Sequence, residues 1–233
     1  MYCPTEMGRQ TPLRWSHGFE RYRLIAIDTI GDGSCFFHAL LNGFYLPYRL
    51  QSLDGVYVNR QDLVRNLRNQ LANRLGEPID PLYPTGPTFY EKLSRGHLYE
   101  LSQSWDQYSL TNMQNLLRSH ESVGNQYNEF VSDQLDKDIY ILNAHSQDVQ
   151  LLEDDPDLFY KHRESLILLY HPSPSVEGVD MGVGHYELVG LQDGAGRVHT
   201  LFDPDHPLIV FLQQRMREVR RLTRGQRPVS ADF

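Results

Sequence analysis

Ile30-Gly31-Asp32-Gly33-Ser34-Cys35-Phe36-Phe37-His38-Ala39-Leu40 joins two kinds of structure within one short span. Upstream, Tyr22 to Ile27 (YRLIAI) is apolar and runs into Gly31-Asp32-Gly33, which reads as a strand followed by a tight loop. Downstream, Cys35 to Leu41 (CFFHALL) is apolar nearly all round and is expected to stop at Gly43. A surface helix would show a polar face, so this is a buried helix. A cysteine at its first position lies at the positive end of the helix dipole, which is expected to lower the thiol pKa and favour thiolate. The glycines and Asp32 leave backbone N–H groups free of bulky side chains, able to point at the oxyanion of a tetrahedral intermediate.

The chain has two cysteines, Cys3 and Cys35, and so no disulfide framework. Cys3 sits in a polar terminus, and a reducing, intracellular setting is the natural expectation. Taken alone, a cysteine at the base of a core helix is most simply a small hydrophobe. A nucleophile also needs a base; among the ten histidines, His185 stands 150 residues on (185 − 35), in Gly184-His185-Tyr186-Glu187-Leu188-Val189, and is singled out by the family resemblance that follows. In a strand, His185 and Glu187 project from one face and Tyr186 from the other. A carboxylate two residues on can then accept a hydrogen bond from one imidazole nitrogen, leaving the other to face Cys35. Gly178, Gly182 and Gly184 would leave the approach open to a substrate chain.

Both segments resemble motifs of the ovarian-tumour (OTU) cysteine proteases. Asp32, Gly33, Cys35, Phe36, Phe37, His38 and Ala39 fill the places of that family's nucleophile motif, and His185-Tyr186 opens its His-aromatic-acid triplet. Glu187 departs from it, since the family usually has Asp or Asn there; Asp203 is a second candidate for orienting His185. The resemblance spans about residue 22 to residue 203 and implies a helical lobe packed on a small twisted β-sheet. It further implies thiol-dependent hydrolysis after the C-terminal Gly of ubiquitin, with Cys35, His185, Glu187 and Asp32 catalytic. Asp32 would serve through its backbone N–H, with that of Cys35, in an oxyanion hole, its side chain holding the loop. Gly33, Ser34, Gly184 and Tyr186 would lie against substrate. His38, three residues beyond Cys35, takes a structural role, because the family accepts Arg there.

The rest of the chain supports a mixed α+β domain over 21–212, with an extension at 1–20 and an Arg-rich helix or tail at 213–233. Asn59 caps a helix reaching Gly76, with Val64, Leu67, Leu71 and Leu75 at helical spacing. Pro78–Pro87 reads as a loop, and Thr88 with Glu91 and Thr111 with Gln114 predict capping boxes ahead of further helices. Tyr127, Phe130, Val131 and Leu135 predict another helix, and Ile209, Leu212, Met216 and Val219 a last one. Strands are predicted at 138–142, 165–170, 185–191 and 197–202, the last two forming a hairpin about 192–196.

Forty per cent apolar residues allow a sizeable core, and the charge of 22 − 30 = −8 disfavours nucleic acid and anionic membranes as partners. The N-terminal residues show no secretory signal, and no apolar run approaches membrane-spanning length. The other histidines lack zinc-site spacing and no phosphate-binding glycine motif occurs, so neither metal nor cofactor is expected. The resemblance implies ubiquitin, polyubiquitin chains and ubiquitin-like modifiers as partners. A cytoplasmic monomer is expected, in a host cytoplasm if the chain is viral or a secreted effector. Two alternatives are a weakly active or inactive ubiquitin-binding module and a polyprotein-processing cysteine protease.

Overall fold

The computed structural model of the protein describes residues 8–96, 98, 99, 102, 106–123, 125–152, 159–173 and 184–225. The strands are β1 (Gln10–Pro12), β2 (Leu24–Ile27), β3 (Ser52–Leu53), β4 (Val56–Tyr57), β5 (Asp138–Asn143), β6 (Asp148–Val149), β7 (Ser165–Pro172), β8 (Gly184–Gln192) and β9 (Val198–His199). The α-helices are α1 (Cys35–Phe44), α2 (Leu46–Leu50), α3 (Arg60–Leu75), α4 (Phe89–Arg95), α5 (Leu110–Arg118), α6 (Asn128–Leu135) and α7 (Pro207–Gly225). The main sheet runs β1-β2-β8-β7-β5-β6, with β9 beside β8 and β3-β4 a separate hairpin. Among the described residues only β5 and β7 pair in parallel; the other pairs are antiparallel. The expected α+β class, a helical lobe on a twisted sheet, is what the chain adopts.

Alternation along the strands builds a core on each face of the sheet. Ile139, Ile141, Leu166, Leu168, Tyr186 and Leu188 pack with the helices α1 and α3–α6. Tyr140, Leu142, Ile167, Leu169 and Val189 point the other way, against Leu208, Ile209, Leu212 and Met216 of α7. Both faces of β7 are therefore covered, which is why SLILLY reads as an unbroken apolar run. Each such side chain contributes about 1.5–3 kcal/mol on burial.

The ends of the chain are part of this second layer. Within the segment read as an extension, β1 pairs with β2, and Trp15 and Phe19 are buried. Phe19 meets Trp15 and Phe211 edge-to-face, at centroid distances of 5.5 and 5.1 Å. The boundary drawn at 212/213 falls inside α7, whose buried face continues to Met216. Spacing along the chain does mark Met216 as part of the last helix's apolar face, but it could not reveal the burial of Trp15 and Phe19, because residues 15 and 19 find their partners at 208–216.

Local signals mostly act as expected. Asn59 Oδ1 accepts the Gln61 N–H at 2.9 Å. The Thr88–Glu91 capping box closes with bonds of 3.1 and 2.7 Å. The Thr111–Gln114 pattern does not: α5 already begins at Leu110, and Gln114 Nε2 instead donates to the Ala72 carbonyl at 2.8 Å. Helix α1 runs past Gly43 to Phe44. A Cβ on Gly43 would lie 2.5 Å from Leu166 Cδ2, so close helix–sheet approach, not termination, requires this glycine. The predicted 197–202 strand shortens to β9 plus a bridge between Phe202 and Ser165. Among the described residues no helix is long and apolar enough to cross a membrane.

Candidate active site

Strand β2 pairs with β8 only as far as Ile27↔Leu188, then turns away into the loop that begins α1. The backbone edge of β8 that it leaves is taken by two side chains. The Thr29 hydroxyl donates to the Tyr186 carbonyl. The Tyr186 N–H donates to Cys35 Sγ at 3.4 Å, and Sγ in turn lies 3.6 Å from the Gly184 carbonyl. The thiol at the start of α1 is thus seated on the residues either side of His185. Phe36 packs on Tyr186 at 5.3 Å between centroids, and Tyr186 on Tyr170 at 5.0 Å, fixing α1 against the strand.

Cys35 is buried and is the only free cysteine among the described residues; Cys3 lies outside them. Burial is the largest influence on its thiol and pushes the pKa up. The N–H groups of Tyr186, Phe36 and Cys35 oppose this, and the Asp32 carboxylate adds to it. The net direction is upward, opposite to the dipole-based expectation, because exclusion from water outweighs the partial charge of the helix terminus. The thiol's hydrogen bonds run to backbone groups. Among the described residues, no hydrogen bond joins it to the His185 ring.

A buried polar frame holds the loop before the cysteine. Asp32 Oδ1 accepts the Ser34 N–H at 3.0 Å, and Oδ2 accepts from His38 Nε2 at 3.1 Å. His38 is wholly buried, and its Nδ1 faces the Tyr48 hydroxyl at 2.7 Å. This is the structural role expected of His38, and Asp32 is its partner. Ser34 is buried too, its Oγ accepting from Arg68 at 2.7 Å. Arg68 also donates to the Leu117, Leu116 and Glu121 carbonyls at 2.9, 2.8 and 2.9 Å, with its guanidinium 5.1 Å from the Phe37 ring centroid. One buried cation therefore ties the nucleophile loop to the end of α5.

These contacts change what several predicted substrate residues can do. Gly33 has φ +83°, and a Cβ there would sit 2.0 Å from the His120 carbonyl oxygen, so it faces the neighbouring loop. Ser34 is occupied by Arg68, and the Tyr186 ring is buried, which leaves its backbone as the part near the thiol. A Cβ on Gly184 would lie 2.2 Å from the His171 carbonyl oxygen, so close strand pairing requires that glycine. Gly178 and Gly182 lie outside the described residues.

The structure gives Glu187 a partner other than His185. Its Oε2 accepts from His171 Nε2 at 2.9 Å, and this bond is the main cause of a carboxyl pKa below the ordinary value. His185 instead has Asp28 beside it, Nε2 to Oδ1 3.9 Å, from the residue just after β2. Asp203 stands next to His206 at the start of α7. Sequence reasoning missed Asp28, His171 and Arg68. Pairing of β2 with β8 up to Ile27↔Leu188 carries Asp28 to a place beside His185, but pairing of residues so far apart in sequence is not readable from local pattern.

No family model matches the chain, and no curated protein matches it. Among solved structures, it is similar to an ovarian tumour (OTU) domain in complex with ubiquitin, at 14% identity and TM-score 0.49, covering 91% of this chain and 94% of that one. It is similar to the OTUD1 OTU domain at 16% identity and TM-score 0.37, covering 71% and 85%. It is also similar to an OTU deubiquitinase from Wolbachia pipientis wMel, at 13% identity and TM-score 0.34, covering 82% and 95%.

Proposed function

We propose that this chain is a cysteine-type deubiquitinase that cleaves the isopeptide bond after the C-terminal glycine of ubiquitin. The observation that carries the reading is the seat of Cys35 Sγ between Gly184 and Tyr186, beside the histidine that the sequence motif supplies as base. In this mechanism His185 takes the thiol proton as Sγ leaves its backbone partners. The thiolate then attacks the carbonyl carbon, and the N–H groups of Asp32 and Cys35 receive the oxyanion. Collapse expels the lysine amine with the proton from His185 and leaves a thioester. Water, deprotonated by His185, then releases ubiquitin and restores the thiol. Asp28 orients the imidazole through Nε2, leaving Nδ1 for the cysteine. The acidic chain complements the arginines of ubiquitin's tail.

The experiment is labelling with ubiquitin carrying an electrophile at its C-terminus, followed by turnover of the eight di-ubiquitin linkages. The expected result is an adduct on Cys35 and cleavage abolished in Cys35→Ala. Hydrolysis surviving that substitution would sink the reading. A second reading, a ubiquitin-binding module with little activity, is favoured by Glu187 being held by His171 and not by His185. It predicts binding of ubiquitin without labelling.

A further inference from the structure

On the sheet face away from α1, four potential metal ligands gather at the β7–β8 end. His171 and His185 are opposite one another in the antiparallel register, with ring centroids 6.1 Å apart. Glu187 projects from the same face as His185 and meets His171 Nε2 at 2.9 Å, while Asp28 reaches in from the end of β2. One donor atom each from Asp28, His185 and Glu187 lie within 4.8 Å of one another.

We propose that these residues form a binding site for a divalent transition-metal ion, zinc above all, with His185, Glu187 and Asp28 as ligands and His171 as a fourth donor. Two imidazoles with two carboxylates suit zinc better than magnesium or calcium, which favour all-oxygen shells. Zinc–ligand bonds of about 2.0–2.2 Å need donor atoms nearer than 4.8 Å. The side chains that must close in are accessible: Asp28 is 56% exposed, His171 43% and His185 37%. Strand pairing fixes the backbones of the other three, so closure needs only rotamer changes and the short reach of Asp28. Binding would replace the His171–Glu187 hydrogen bond. Sγ is not counted as a ligand, since its hydrogen bonds run to the backbone of Tyr186 and Gly184.

A consequence follows that rests on the proposed function. An ion on His185 occupies the nitrogen that Asp28 orients and removes the base, so zinc would inhibit hydrolysis reversibly.

The test uses the Cys35→Ala protein, which separates metal binding from catalysis. Cobalt(II) serves as the optical probe and zinc as its competitor. One ion per chain is expected, with visible d–d bands and no sulfur-to-metal charge transfer. His171→Ala and the shape-conserving Glu187→Gln should each weaken binding about tenfold or more. In the protein with Cys35 intact, His171→Ala should raise the zinc concentration that halves its own metal-free rate by a similar factor. No saturable cobalt binding to Cys35→Ala, or affinity unchanged in both ligand variants, would overturn the site. If cobalt binds as described while no ubiquitin substrate is cleaved by the unaltered chain, the site stands and the deubiquitinase reading fails.

Discussion

His171 Nε2 donates to Glu187 Oε2 at 2.9 Å across the β7–β8 pair, so the carboxylate two residues after His185 is held by a different histidine. The acid nearest the proposed base on the other side is Asp28, 3.9 Å from its Nε2. Asp28→Asn should therefore lower kcat for di-ubiquitin cleavage by about 10²-fold, near the lower bound for losing support of a general base. Glu187→Gln should cost distinctly less. A larger loss from Glu187→Gln than from Asp28→Asn would return the orienting role to Glu187.

Cys35 is buried, and its thiol pKa lies above the ordinary value. At pH 7 its alkylation by iodoacetamide should be slower than that of the unfolded chain, since the thiolate is the reacting form. The rate should climb about tenfold per pH unit through pH 8 in the folded protein. A rate already level between pH 6 and 8 would mean a preformed thiolate and would contradict the burial argument.

Arg68 satisfies Ser34 Oγ and three backbone carbonyls from a wholly buried position. Truncation to Ala leaves those acceptors without their donor and opens a cavity beside Phe37. The expected loss is about 3 kcal/mol or more, read as a lower urea midpoint. Arg68→Lys should recover only part, because a point charge on a flexible stem cannot serve four acceptors held in the plane of a guanidinium. Full recovery by Lys would show that charge alone matters there.

His38 has its pKa lowered, chiefly by burial, with the Asp32 contact acting the other way. In the unfolded chain it titrates near its ordinary value of about 6.5. Between the lowered folded pKa and that value the unfolded state binds more protons, so stability rises with pH across the window. Stability is lost as pH falls below about 6.5. His38→Gln keeps hydrogen-bonding capacity but cannot titrate. The drop in urea midpoint from pH 7 to 5.5 should be smaller in that variant than in the unaltered protein. Equal drops would remove His38 as a contributor.

Much of the architecture was legible because its determinants are local. The Asn59 and Thr88 caps, the Asp138–Asn143 and Ser165–Pro172 strands and the apolar helix after Gly33 each follow from spacing within a few residues. Errors fell where a residue's reason lies across the molecule. Gly43 looked like a helix stop but is a packing contact with Leu166, and Trp15 and Phe19 looked aperiodic but cover a sheet face beneath α7.

By itself the sequence determined that Cys35 begins a buried helix after a glycine turn and that His185 opens a strand with Glu187 on the same face. Only the tertiary structure decided which groups surround them. Sγ rests on the backbone of Gly184 and Tyr186, Glu187 answers to His171, and Asp28 stands beside His185. It also decided the sign of the thiol's shift, since desolvation depends on what packs over a group, and the chain's order does not state that. Periodicity assigns a side chain to a face; its hydrogen-bond partner is chosen by strand register and loop closure among residues far apart in the sequence.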